Sequence, residues 1–175
     1  MKAIHPGPPQ AGEFVPFYAN YIAKAGSIED PVARLATQLS EVTSFLSGID
    51  HRKRLYHYAP GKWSIQEMVQ HLADSERIFS YRALRFGRKD QTALAGFDEN
   101  TYVPASEADN ADWGDVVSEW GNVRNATVPL FRGFSAAAWT RTGTANNALI
   151  SVRAIAWIII GHTEHHMGVI RERYL

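Results

Sequence analysis

The chain has 175 residues, no cysteine, and a formal net charge of zero from 18 basic and 18 acidic side chains. This length predicts one domain, residues 1–175, that buries about two-thirds of its unfolded surface. The composition excludes disulfides and a cysteine nucleophile. The sequence has no basic block, so nothing in it indicates a nucleic-acid partner. The longest apolar run, residues 154–160, is too short to cross a membrane, so we expect a soluble cytoplasmic protein.

Residues 1–28 combine four prolines with four aromatic residues. The prolines prevent a long helix, whereas the aromatic side chains favour contact with a core. We therefore expect an N-terminal arm that lies on the body of the fold.

A first helix is predicted over residues 31–47. Asp30 caps its free N–H groups, and Pro31 occupies the first turn, where its missing N–H costs nothing. Apolar residues then recur at spacings of three and four until Gly48 ends the pattern.

A second helix is predicted over residues 65–86, with Ser64 and Glu67 forming a capping box. His71 lies at the margin of its apolar stripe, in line with Ser75 and Arg82, so periodicity alone makes it a boundary residue. Glu76 falls inside the stripe, where a carboxylate needs a partner. A structural ion pair is favoured over a catalytic role for it.

Residues 88–112 form a polar connection that is longer than neighbouring antiparallel helices need. It predicts either a crossover between distant ends of a bundle or a loop that covers a site. Its polar candidates are Asp98, Glu99, Asn100 and Tyr102.

A third helix follows Asp112, and Pro129 predicts a kink or an early end in it. Residues 135–139 are expected to form a short turn and residues 143–147 a loop. Ser151 then caps a fourth helix that is apolar on nearly all sides, which places it at the centre of a bundle or against a second subunit. In the second case, Trp157 and Ile160 would form a homodimer interface. No strand pattern is evident, so the prediction is an all-α four-helix bundle.

The fourth helix carries two histidines where its apolar stripe would otherwise continue. His162 and His166 lie one turn apart on the same face, close enough for both imidazoles to bind one ion. Both could instead be neutral core residues, and a third ligand is needed to decide. Thr163 stands where a zinc-protease motif has its glutamate, and Glu164 points away from the pair.

The assembled pattern resembles the DinB-like superfamily, which includes YfiT-like metal-dependent hydrolases and bacillithiol and mycothiol S-transferases. The motifs that carry the resemblance are Pro60-Gly61-Lys62-Trp63-Ser64, Gln70-His71-Leu72, Ser75-Glu76-Arg77, Gly96-Phe97-Asp98-Glu99-Asn100 and the stretch from Gly161-His162 to His166. The resemblance implies an up-down-down-up bundle with residues 88–112 as its crossover. It also implies a divalent metal held by His71, His162 and His166.

Three histidine ligands leave a coordination position for water or substrate, which is typical of a catalytic metal site. The resemblance therefore implies a metal-dependent enzyme of small-molecule metabolism or detoxification, either a hydrolase or a thiol S-transferase. Without cysteine in the chain, a low-molecular-weight thiol would have to be a cosubstrate. The ligand type suits zinc, nickel, iron or manganese. The alternative is a non-catalytic scaffold protein. His165, Glu67 and Glu76 are candidates for supporting or acid–base roles, with salt bridges favoured.

Overall fold

A computed structural model describes residues 6–175, so the first five residues of the predicted arm lie outside the described part. Within it the chain forms eight α-helices, two short 3₁₀ turns and one two-stranded antiparallel sheet. The helices are α1 (Ala19–Ala25), α2 (Pro31–Ser47), α3 (His51–Arg54), α4 (Ile65–Gly87), α5 (Glu99–Ala105), α6 (Trp113–Arg132), α7 (Ala136–Trp139) and α8 (Val152–Arg173). The strands are β1 (Thr142–Ala145) and β2 (Ala148–Ser151).

The predicted caps set the starts of the long helices. The Asp30 side chain accepts hydrogen bonds from the first turn of α2, and Ser64 and Glu67 form the complete capping box at the start of α4. Ser151 accepts the N–H of Ala154 at 3.0 Å at the start of α8. Because these side chains satisfy N–H groups that have no helical partner, each helix begins where the sequence predicts.

The four long helices pack into a bundle in which α2 and α4 each contact both α6 and α8. Their apolar faces enclose two clusters of buried side chains, one toward each end of α8. The early turns of α8 are apolar on all sides because they are buried all round within the first of these clusters, whereas its later turns contribute to the second. The fold is therefore mostly helical, as predicted. No helix in residues 6–175 is long and apolar enough to cross a membrane.

The all-α prediction was wrong in one respect, because residues 142–151 form a hairpin where a loop was expected. Asn146 and Asn147 have φ of 50° and 57°, the backbone that a tight two-residue hairpin turn needs. Gly143 permits close packing on α4, since a Cβ there would lie 2.1 Å from the ring of Phe86. Leu94 of the long connection forms an isolated parallel bridge with Ala145 of β1, so the long connection lies along the hairpin.

Of the two outcomes predicted at Pro129, a kink or an early end, the early end was wrong, because α6 continues to Arg132. Val128 and Phe131 are buried on either side of the proline. Their packing offsets the roughly 3 kcal/mol that an interior proline costs a helix.

The N-terminal arm lies along α8. Helix α1 packs on α8 so closely that a Cβ at Gly161 would lie 1.7 Å from the carbonyl oxygen of Tyr21. At the other end of the arm, the Glu13 side chain accepts hydrogen bonds from Arg153 and Ser151. Trp157 and Ile160 are buried inside the chain. They are therefore not an exposed dimer surface, and the homodimer stays a prediction without that support.

Candidate metal centre

Three imidazole rings meet between α4 and α8. Nε2 of His162 lies 3.0 Å from Nε2 of His71 and 3.0 Å from Nε2 of His166. Each of the three residues offers a nitrogen within 4.8 Å of the others, and all three side chains are buried. The structure thus brings together the three histidines that the resemblance indicates.

The positions of the rings follow from helix geometry. His162 and His166 are one turn apart on α8, and the packing of α4 against α8 brings His71 opposite them. Periodicity placed His71 at the boundary of the α4 stripe, but Trp63 from the preceding turn covers it at 4.8 Å between ring centroids. The Trp63 ring is also stacked on the His166 ring, with 6.3 Å between the ring centroids. A residue of the Pro60-to-Ser64 motif therefore closes one side of the cluster.

Burial keeps the three rings neutral. It lowers the pKa of His71 to about 4. It also lowers the pKa values of His162 and His166 well below the ordinary value, and the neighbouring imidazoles lower them further. A neutral imidazole has a free lone pair on one nitrogen, which is the form that binds a metal.

The donor set fits a divalent transition metal better than it fits a closed hydrogen-bond network. His162 Nε2 faces two other ring nitrogens, yet one imidazole nitrogen can only donate or accept one hydrogen bond. Nitrogens that share a tetrahedral zinc ion at about 2.0–2.1 Å lie about 3.3 Å apart, close to the spacing here. In residues 6–175, Nδ1 of His166 is buried without a hydrogen-bond partner.

The cluster is accessible from a cavity of about 210 Å³ between the arm, α4 and the hairpin. His71 and His162 form part of its wall, together with Ser75, Arg82 and Tyr21. The Ser75 hydroxyl lies 3.4 Å from Nδ1 of His71, where it can orient the ring. His166 lines a second cavity, of about 270 Å³, together with Trp63 and His165. The three histidines therefore border two cavities, His71 and His162 the first and His166 the second.

Two carboxylates that the sequence raised as candidates have structural roles. Glu76 forms a buried ion pair with Arg124 at 2.7 Å and 2.9 Å, as the favoured interpretation predicts. Glu67 accepts the N–H of Ser64 at 2.8 Å as part of the capping box. Glu67 also approaches His57 and Asp109 in a second group of possible ligands, but that group is partly exposed and its carboxylates already accept hydrogen bonds from Ser64.

The other candidates surround the cluster without joining it. The ring of His165 lies 5.0 Å from that of His166, and Glu164 turns away to Arg34 and Gln38, as the helical spacing predicts. The four polar candidates in the long connection lie in different places and do not form one site. Asp98 caps α5, Glu99 lines the first cavity, Asn100 lines the second and Tyr102 is half exposed.

Sequence reasoning missed three residues that shape the site. Tyr21 packs edge-on against His162 at 5.1 Å, and its only sequence signal was the aromatic character of the arm. Arg124 stands at helical spacing between Trp120 and Thr127, so an arginine in the apolar stripe of α6 was the available signal. Arg82 shares the margin of α4 with His71, but nothing in the pattern showed that this margin is buried.

The fold and the cluster together define a class of protein, a helical bundle with a buried three-histidine site that can hold a metal. The chain belongs to the DinB superfamily, whose family model matches residues 26–170.

A solved structure, YfiT from Bacillus subtilis, resembles the chain with a TM-score of 0.67 and 19% sequence identity, over 98% of this chain and 95% of that one. It is described as a probable metal-dependent hydrolase with an unusual four-helix bundle topology. At this identity the likeness concerns the fold. No curated protein matches the chain.

Proposed function

We propose that this protein is a metal-dependent enzyme that acts on a small molecule, as a hydrolase or a thiol S-transferase. The proposal depends on one observation. Three buried imidazoles meet with ring nitrogens 3.0 Å apart beside a cavity that reaches them. His71, His162 and His166 would hold the ion, and a divalent ion in such a site supplies Lewis acidity that activates a water or a thiol.

The surrounding residues prepare the site for that ion. Burial holds the imidazoles neutral, so their lone pairs remain available at neutral pH. Ser75 orients His71, while Tyr21 and Trp63 pack against the rings and limit their movement. Rigid ligands keep a site ready for binding, because the ordering cost is met during folding. The cavity beside His71 and His162 gives a small substrate a place next to the ligands.

The reaction and the ion belong to the same proposal. The likeness to a protein described as a probable metal-dependent hydrolase supports hydrolysis. For thiol transfer, the thiol would be a separate cosubstrate, since the chain has no cysteine. Three imidazoles suit zinc, nickel, iron or manganese.

The connectivity is also part of the proposal. We infer an up-down-down-up order for the four long helices, in one domain of residues 1–175. The length of the connection between α4 and α6 supports this order, because antiparallel neighbours are usually joined by much shorter loops.

Elemental analysis of tag-free protein tests the metal site. We expect about one divalent ion per chain, with sharply lower occupancy in His71→Ala, His162→Ala and His166→Ala. Full occupancy in the triple variant would end the proposal. The loaded protein is then screened with ester and amide substrates, and with small thiols plus an electrophile, which separates hydrolysis from thiol transfer. A loaded protein that is inactive in both screens would favour the non-catalytic scaffold.

A further inference from the structure

Arg82 is a buried cation that has no anionic partner within the described part of the chain. Its side chain is 3% exposed, one terminal nitrogen donates to the carbonyl oxygen of Ala95 at 3.2 Å, and the guanidinium lies 5.6 Å from the centre of the Phe79 ring. Among residues 6–175 no carboxylate forms an ion pair with it. Arg124, which is fully buried, binds both carboxylate oxygens of Glu76. Because a buried charge without a counter-ion is costly, the difference requires an explanation.

The position of Arg82 in the fold explains why its charge has no counter-ion between residues 6 and 175. Arg82 lines the same cavity as His71 and His162, and it lies on the same face of α4 as Ser75. The cavity of about 210 Å³ is smaller than the roughly 300–1,000 Å³ of sites for drug-sized ligands. A small ligand in this space could contact both the guanidinium and the three-histidine cluster.

We propose that Arg82 binds an anionic group of the substrate, a carboxylate or a phosphate, while the reacting end lies against the histidines. This inference rests on the proposed function. A guanidinium presents a planar fork of N–H donors that matches both anions. Within the described residues only one terminal nitrogen of Arg82 is engaged, by the carbonyl oxygen of Ala95. Glu99 lines the cavity too, without pairing with Arg82. A ligand with its negative charge at one end is therefore favoured over one charged throughout.

A purely structural role for Arg82 makes a different prediction. The hydrogen bond to Ala95 could serve only to hold the long connection against α4. In that case substitutions would change stability but not the binding of anions. The two roles are separable because they use different nitrogens of the guanidinium.

The test is an NMR titration of the full-length, metal-free, ¹⁵N-labelled protein with acetate, inorganic phosphate and neutral acetamide at constant ionic strength. We expect saturable shifts of the Arg82 Nε–H signal and of the Gly96 and Asn146 amides with acetate or phosphate, but not with acetamide. The anion that binds more tightly identifies the substrate group. Arg82→Gln should weaken binding at least about tenfold. Arg82→Lys, which keeps the charge and serves if the glutamine variant does not fold, should bind with intermediate affinity.

Arg85→Gln is the matched control, since Arg85 is on the same helix but pairs with Asp90 outside the cavity, and it should bind anions like the wild type. Absence of saturable binding to the wild type, or equal binding by Arg82→Gln, would overturn the inference. His166→Ala separates it from the proposed function, because His166 does not line this cavity. Loss of metal with anion binding retained supports the inference on its own, whereas loss of anion binding with metal retained in Arg82→Gln supports both.

Discussion

Two buried polar clusters lie side by side against α8, and they differ in whether the chain satisfies them. Arg124 binds Glu76 through two nitrogens and also donates to Gln38, to the carbonyl oxygen of Leu35 and to Thr163. Each of the three guanidinium nitrogens thus donates to at least one acceptor. Thr163 is the neighbour of His162, so this closed network lies directly beside the three histidines, which we call the open cluster.

The three histidines show the opposite arrangement. Their ring nitrogens face one another, no carboxylate or carbonyl oxygen of residues 6–175 accepts from them, and burial keeps them neutral. A polar cluster that is satisfied within the chain contributes to the folded state. One that is not satisfied retains binding capacity, which is the property of a functional site.

The largest expected effect comes from breaking the closed network. Arg124→Met leaves Glu76 as an uncompensated buried carboxylate, so we expect a loss of about 3–5 kcal/mol in the free energy of unfolding. Urea denaturation monitored by circular dichroism measures it. Arg77→Gln, which removes a half-exposed ion pair with Glu119, is the control and should cost less than about 1 kcal/mol. Equal losses for the two variants would remove the distinction between a closed cluster and an ordinary salt bridge.

The open cluster should stabilise the protein only when an ion is supplied. Zinc at about 100 times its dissociation constant should raise the free energy of unfolding by about 2.7 kcal/mol, because the ion binds the folded state. Thermal denaturation with and without zinc measures the shift. His162→Leu should abolish it.

Without metal, the same His162→Leu variant sharpens the comparison. We expect its stability to be unchanged or raised relative to the metal-free wild type, since an apolar side chain replaces a buried ring whose Nε2 faces two ring nitrogens but can form a hydrogen bond with only one of them. A loss as large as that of Arg124→Met would mean that the histidines form a closed structural network of their own.

The arm should support the open cluster more than the closed one. Gly161→Ala would place a Cβ against the backbone oxygen of Tyr21, so α1 must shift, at a cost of about 1–3 kcal/mol. Faster proteolysis of the arm and weaker zinc binding should accompany the loss. Gly168→Ala on the same helix meets no atom within 4 Å and should gain about 0.5–1 kcal/mol. Similar results at both glycines would contradict close docking of α1.

The smallest effect is expected at the arm's own ion pair, outside both clusters. Burial raises the pKa of Glu13, but hydrogen bonds from Arg153 and Ser151 outweigh it and leave that pKa below its ordinary value of 4.5. The pair therefore adds stability above about pH 4.5, and this is lost as the pH falls through the lowered pKa. Glu13→Gln should reduce stability at pH 7 by less than about 1 kcal/mol and flatten its acid dependence. An unchanged acid dependence would show that the pair does not couple to folding.

Much of the fold could be predicted from the sequence because its signals are local. The caps Asp30, Ser64 and Ser151 act within one turn of their own helices, so the helix starts were correct. The hairpin was missed because its turn, Asn146 and Asn147, lies between short strands without clear alternation. Its stability depends on distant contacts, such as Phe86 against Gly143.

For the site, the sequence determined that His162 and His166 share one face of a helix, because an α-helix repeats every 3.6 residues. It also determined that any metal ligands must be histidine, carboxylate or water, since the chain has no cysteine. Tertiary structure alone decided which buried polar residues found partners. Glu76 meets Arg124 across 48 residues, and His71 meets His162 across 91. Such pairings depend on how helices pack in space, and periodicity along one helix contains no information about its neighbour.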